Sequence, residues 1–591
     1  MLSYLGDSDI EVCDSAFYIL IWGNQNEKSK RKPKSIGYGI RMCSRDVSSR
    51  VCKPIKKSTK ELSHECRCWD KSATTTSWGD IVIDSPLPPK ALDPAEAFDM
   101  ASGEIISAMY DQLLMYKGTT TQIVPMAAKS YSVSPNGKVY TFQLRKGIKF
   151  WNGDPLTAQS FIDEFERVLN PKIASAGEGF IDPIIQGSAA YAAGKAKTIS
   201  GISAPNPDTL IIRLEKPEPF FPKILTMTFF SAVDQKYINS VGENKYDSQD
   251  AMGTGPFELK DVTTNSVVLT RNPSYWRTDQ YGNQLPYLNQ ITIDITENTA
   301  LEAQRFELGT TAFLGNLTSG IPNDQYPTFE TNPALKKTVL QVPMVSVWYV
   351  DMTVKDKPFN NVLVRKALEW AINKAYIIKL LKGQGEVANQ PTPPMLPGYN
   401  KHLPSDATYG YNPAKAKQLL AEAGYPKGFS ISLETFNTPT DEAIITAIAG
   451  NLNAIGVKCK IQPMEGSTFL TEYLQGKVPF FFTGYNQDFP DASDFLNTEF
   501  NSANAPATDN TWYDNPQVDS LLNEAQTDTN QQQRVKIYEQ INADLMADAA
   551  QIPIYIPMDT IAVQPWVHGY QMSPTQFDPL TTIWIDKNHS K

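Results

Sequence analysis

The chain has 591 residues, 41% hydrophobic and 20% charged, enough to bury more than one core and too apolar for a disordered protein. Its 54 basic and 64 acidic side chains leave a net charge of −10, which excludes a protein that coats nucleic-acid phosphates or anionic lipid. No run of about 18 apolar residues is present, so no membrane-spanning helix is predicted.

The charge is uneven. Residues 1–80 hold 14 basic and 10 acidic side chains, leaving the remaining 511 at −14. Five of the six cysteines (Cys13, Cys43, Cys52, Cys66 and Cys68) also fall there, so only Cys459 is left for the rest of the chain. In a secretory signal a basic start precedes an apolar run. Here Asp7, Asp9, Glu11 and Asp14 precede the apolar patch Phe17 to Trp22, and the basic cluster Lys28 to Lys34 follows it. His64, Cys66 and Cys68 suggest zinc, but the paired Cys-x-x-Cys spacing of structural zinc modules is missing and no metal is assigned. Residues 1–79 therefore read as a leader, either disordered or the product of a misassigned start that displaces the true signal.

A globular body begins at Asp80, where Ile81 to Ile83 make a strand closed by the breakers Pro86 to Pro89. The turn Ser134 to Gly137 leads into Tyr140 to Arg145, whose two-residue alternation predicts a half-buried strand. Thr157 caps a helix over Ala158 to Leu169, ended by Asn170 and Pro171. Ile211 to Leu214, Ser266 to Leu269 and Ile291 to Ile295 read as further strands. Val364, Leu368, Ala371, Ile372 and Ala375 then mark a single helix running to Gly383. Asn412 and Pro413 open a helix to Gly424, followed by the strand Phe429 to Leu433; Asp441 opens another to Gly456, followed by Val457 to Ile461. That alternation predicts an α/β lobe with a mostly parallel sheet.

These segments, taken in order, resemble the extracytoplasmic solute-binding proteins of peptide ABC transporters, the oligopeptide- and dipeptide-binding family. The resemblance begins at Ala91 to Pro94 and runs through Val133 to Gly137, Tyr140 to Phe150 and Asn152 to Ala158. It resumes at Gly253 to Phe257, Leu269 to Trp276, Pro358 to Leu368 and Leu419 to Gly424, and ends at Pro565 to Tyr570. It implies a two-lobed periplasmic-binding-protein fold of type II, with an accessory region and a ligand cleft between the lobes. Lobe I would comprise 80–110, 235–345 and 559–591, extended by the accessory region 111–234; lobe II would be 346–558. The lobes would close about a hinge near residues 345 and 558. The resemblance further implies a monomer without cofactor, periplasmic or at the cell surface, that hands a peptide to the permease and ATPase subunits of an importer.

A receptor for many peptides must bind what they share: the extended backbone, met by strand-like hydrogen bonds, and the terminal ammonium, met by a carboxylate. The family places that carboxylate in a glycine–aromatic–x–x–Asp segment, which Gly484, Tyr485, Asn486, Gln487 and Asp488 match. Asp488 is thus expected to anchor the amine, with Gly484, Tyr485 and Asn486 beside the first peptide residues, and Trp348 and Tyr349 as pocket walls. From the residues alone, Asp488 reads equally as one acid of a solvated loop with Asp491 and Asp494. Phe480 to Phe482 read as a buried strand. Where longer-peptide receptors of the family carry arginine, this sequence has Tyr473 and Phe482, and a family tyrosine of the accessory region aligns near Gly177.

Two other readings differ in class. A glycosidase would need a carboxylate pair such as Asp488 with Asp491 or Glu465 with Glu472; an oligosaccharide receptor would use the 26 Tyr and 10 Trp for stacking. The four histidines sit in no catalytic or metal motif and no phosphate loop is present, so no catalytic residue is assigned.

Overall fold

The computed structural model describes residues 79–317, 320–505, 508, 511–573 and 580–589. His64, the five leader cysteines and every other expectation about residues 1–78 lie outside them. No helix of the described residues is long and apolar enough to cross a membrane.

The first strand, Asp80–Ser85, runs parallel to Gln290–Ile295. That strand pairs antiparallel with Ser266–Arg271, which pairs with Phe257–Val262. Ile81, Ile83, Ile291, Ile293, Leu269 and Val267 stand opposite one another in register and are buried together, as a two-residue side-chain period requires.

Between the first and second of these strands in sequence, the chain builds another four-stranded sheet, wholly antiparallel: Ala128–Val133, Val139–Leu144, Thr209–Arg213 and Ile202–Asn206. Gly137 closes its first hairpin at φ +69, a left-handed conformation that a Cβ disfavours. The helix Ala158–Val168 begins, as expected, at Thr157, which exchanges capping hydrogen bonds with Ser160. Arg167 near its end is buried and pairs with Asp93, with Glu164 at 3.2 Å and with Glu243 at 2.5 Å. The helix is thereby pinned to chain on both sides of the inserted sheet. Phe142, Phe161 and Phe165 share one packed core with Ile83 and Ile291, so the two four-stranded sheets form one lobe.

The second lobe is built on an eight-stranded sheet whose edge strands Phe313–Leu314 and Val339–Pro343 reach it from the first lobe. Only its far end is parallel: Ser430–Phe436 runs with Lys458–Met464 and with Phe480–Asn486. Ser346–Met352 is antiparallel to both Phe480–Asn486 and Ile552–Val563, so the sheet is mixed rather than mostly parallel. The reason is connectivity, since helical crossovers join only the parallel three. The helix expected from Val364 to Gly383 is two, Val362–Ala371 and Lys374–Leu380. Asn373 interrupts it by accepting the Tyr376 N–H at 3.1 Å, a local bond that competes with the helical ladder. Thr438, not Asp441, caps the helix Pro439–Ala454, accepting the Asp441 N–H.

Two segments pass between the lobes, the strand Ile552–Val563 and the run from Val339–Pro343 into Ser346–Met352. Ile552–Val563 pairs through Met558 to Ala562 with Val339–Pro343, and through Ile552 to Tyr555 with Ser346–Met352. The mixed α/β architecture is thus two-lobed.

Candidate functional site

Phe480–Asn486 changes character along its length. Phe480, Phe481 and Phe482 are fully buried, whereas Gly484 and Tyr485 are half-buried and Asn486 is exposed. Gly484 stands opposite Trp348 in the antiparallel ladder. A Cβ there would lie 2.5 Å from Trp348 Cε2, so the indole lies across the glycine backbone. Trp348 is half-buried and packs against Phe482 at 5.4 Å and Tyr555 at 5.8 Å between ring centres.

Tyr349 does not join it. One step along a strand reverses the side-chain direction, and Tyr349 is 1% exposed, packed with Val347 and Phe495 and donating its hydroxyl to the Glu499 carboxylate. Its side chain therefore sits in a buried cluster, on the face opposite Trp348.

The segment after the strand holds three carboxylates in two environments. Tyr485 Oη lies 2.9 Å from Asp488 Oδ2 and 3.1 Å from Asp494 Oδ1; with a single proton, the hydroxyl donates to one at a time. Asp494 Oδ2 accepts the N–H groups of Asp488 at 2.8 Å and Phe489 at 3.3 Å, which folds the loop back on itself. Burial pushes the Asp488 carboxyl up to about 6, against the lowering effect of the Tyr485 hydroxyl. Burial and the neighbouring Asp488 charge push Asp494 up as well. The loop is therefore not a solvated one: Asp488 is half-buried, and Asp491 and Asp494 are buried.

Asp491 takes the cations. Lys223 Nζ lies 2.7 Å from its Oδ2, and Arg534 reaches it at 2.5 and 2.9 Å. Asp491 Oδ1 also caps the helix Ala492–Phe500 through the Ser493 N–H. Burial alone would raise this carboxyl, but the two cations hold it well below the usual carboxylate range. Among the described residues no ion pair reaches Asp488 or Asp494; their partners are the neutral tyrosine hydroxyl and backbone N–H groups.

The departures from the family pattern have packing counterparts. Phe482, at one arginine position, is core beneath Trp348. Tyr473, at the other, meets Phe481 edge-on at 5.3 Å. At Gly177 a Cβ would lie 2.7 Å from Phe229 Cγ, so Phe229 fills the space a larger residue would need. Of the alternative acid pair, Glu465 caps its own helix, Gly466–Leu474, by accepting the Ser467 and Thr468 N–H groups; the Ser467 hydroxyl, with those N–H groups, lowers its carboxyl to about 2.

The model for bacterial extracellular solute-binding proteins, family 5 (middle part), matches residues 122–507. The chain belongs to that family. Heme-binding protein A of Haemophilus influenzae is 28% identical over 534 residues, 87% of this chain and 94% of the relative. The periplasmic oligopeptide-binding protein OppA of Escherichia coli is 29% identical over 513 residues, 84% and 89% of the two chains. A solved structure of DppA from Helicobacter pylori, an ABC transporter-associated periplasmic binding protein in complex with the peptide STSA, is 25% identical with a TM-score of 0.69. It covers 86% of this chain and 98% of its own. The two-lobed α/β architecture of this chain is that of the periplasmic binding proteins, and the family's members bind solutes.

Proposed function

We propose that this family 5 protein is the capture component of an ABC importer and binds oligopeptides or dipeptides by their free amine. One observation carries the reading: Asp488 and Asp494 share a single phenolic hydroxyl, while both cations of the loop are committed to Asp491. A half-buried carboxylate with only neutral donors is a favourable partner for an incoming ammonium, because a charge-assisted hydrogen bond is stronger where water is excluded. Asp488 holds the amine; Gly484, Tyr485 and Asn486 lie along the first peptide residues, and Trp348 covers the glycine. The ligand sits between lobes comprising 80–110, 235–345 and 559–591 with the accessory region 111–234, and 346–558. It is released to a membrane permease driven by an ATPase, from the periplasm or cell surface. The protein acts as a monomer and needs no cofactor or catalytic step. The names of the H. pylori and E. coli relatives support a peptide; that of the H. influenzae relative makes heme the competitor to exclude.

The test is mass spectrometry of small molecules released from the purified protein, with thermal shifts against di- to hexapeptides, heme and a panel of oligosaccharides. Released peptides and peptide-dependent stabilisation are expected. Stabilisation by heme or sugars alone would overturn the reading while leaving the family intact.

A further inference from the structure

Lys223 lies 268 residues before Asp491 in sequence, in the short helix Phe221–Ile224 that follows the inserted antiparallel sheet. Its ammonium donates to the Pro490 carbonyl at 2.6 Å and to Asp491 Oδ2 at 2.7 Å, two and three residues beyond Asp488. The side chain keeps 19% of its surface exposed against 4% for Asp491. Aromatic rings reinforce the contact. Phe489 of the second lobe stacks on Phe220 at 5.5 Å and 10°, meets Phe180 edge-on at 6.4 Å, and is packed into the first lobe's core. Arg534 lies over the other participant, its guanidinium carbon 5.6 Å from the Phe220 ring centre. At the hairpin turn of the same inserted sheet, a Cβ on Gly137 would come within 2.8 Å of Thr529 Cγ2 of the second lobe.

These contacts bridge the lobes through residues outside the segments that connect them. They fall on the Pro490 carbonyl and Phe489, whose backbone is continuous with the Asp488 anchor and whose N–H is held by Asp494. We propose that Lys223 is a positioning residue: it bolts the first lobe to the Asp488 loop, so that lobe closure and the setting of the anchor carboxylate are one event. Phe489 acts as the plug that the bolt retains. A merely hinged pair of lobes would let the loop take its position independently of closure; here a cation from the opposite lobe fixes it. The consequence for ligand retention rests on the amine reading of Asp488, but the latch does not.

Amide hydrogen exchange of the full chain, without added ligand, separates the two. In Lys223→Met the amides of residues 488–494 should exchange at least about tenfold faster, the factor expected for losing a partly buried charge-assisted bond. Exchange in Val139–Leu144 and Ser430–Phe436 should stay unchanged, showing that both lobes remain folded, and Lys223→Arg should restore most of the protection. Wild-type exchange over 488–494 in Lys223→Met would overturn the latch. So would acceleration spreading into Val139–Leu144, which would make Lys223 a support of its own lobe, or equal acceleration in both variants, which would make its shape rather than its charge decisive. Failure of Asp488→Asn to alter peptide binding would refute the amine reading and leave these exchange results standing.

Discussion

Asp488→Asn removes one charge and little else. The amide oxygen can still accept from the Tyr485 hydroxyl, which sits 2.9 Å away, so the loop keeps its fold. What is lost is the charge-assisted hydrogen bond to a peptide ammonium, worth about 1.5–3 kcal/mol net. At about 1.4 kcal/mol per decade, Kd for a free-amine peptide should rise roughly 10- to 150-fold. An N-acetylated peptide carries no ammonium and should bind both proteins alike. The pH dependence gives a second, independent reading. Burial raises the Asp488 carboxyl to about 6, so below that pH the free protein holds a proton there that an ammonium must displace. Affinity for the free-amine peptide should therefore climb with pH by up to about tenfold per unit below the raised value. It should then level until the peptide amine itself deprotonates near 8. The same raised value makes the ligand-free fold retain a proton that the unfolded chain has lost, so this group's contribution to stability falls as pH rises from about 4 toward 6. Isothermal titration with trialanine and N-acetyl-trialanine at pH 5, 6 and 7 measures both effects. Equal losses for the two peptides, or a pH slope that survives in Asp488→Asn, would refute the reasoning.

Three further outcomes are expected. Gly484→Ala places a Cβ 2.5 Å from Trp348 Cε2; the indole must shift, at a cost of about 1–3 kcal/mol, and a melting temperature equal to wild type would show that the close approach is not constraining. A chain starting at residue 79 should unfold in the same cooperative transition as the full chain and bind the same ligand, and loss of that transition would show that residues 1–78 belong to the fold. The radius of gyration from small-angle scattering should fall when a binding peptide is added, if the lobes rotate about the two crossings, Val339–Pro343 with Ser346–Met352 and the long strand Ile552–Val563; unchanged scattering at saturation would remove the hinge.

Local chemistry was the legible part of this sequence. An apolar run closed by prolines located Asp80–Ser85, two-residue alternation located Val139–Leu144, and Thr157 and Asn412 marked helix starts that the structure keeps. Asn373 shows the limit: the apolar stripe continued through it, and only the competing side-chain bond to the Tyr376 N–H reveals that one helix becomes two. The parallel order of Ser430–Phe436 and Lys458–Met464 followed from the helix between them, while the antiparallel half depends on Ser346–Met352 pairing with Phe480–Asn486 and Ile552–Val563, partners far away in sequence with no local signature. At the site, the glycine–aromatic–x–x–Asp segment pointed to Asp488, but nothing adjacent distinguished Asp488 from Asp491 or Asp494. That distinction is made by Lys223 and Arg534, which are remote in sequence and sit in unremarkable patterns. Tyr349 shows a further limit: it adjoins Trp348 in sequence, but neighbours in a strand face opposite ways, and its side chain packs with Val347 and Phe495.

The division of charge among the three carboxylates also constrains which end of a ligand this loop can meet. Lys223 and Arg534 are both spent on Asp491, and Phe482, where the family resemblance leads one to expect arginine, is buried. Redirecting Arg534 toward a ligand carboxylate would strip a buried Asp491 of its closest partner, and breaking such a pair costs about 3–5 kcal/mol, more than one new ion pair to a ligand returns. The loop around Asp488 is therefore electrostatically suited to an ammonium and unsuited to a carboxylate. On the proposed reading a peptide would meet this loop with its amine, and its carboxyl end would have to be met elsewhere or left in water.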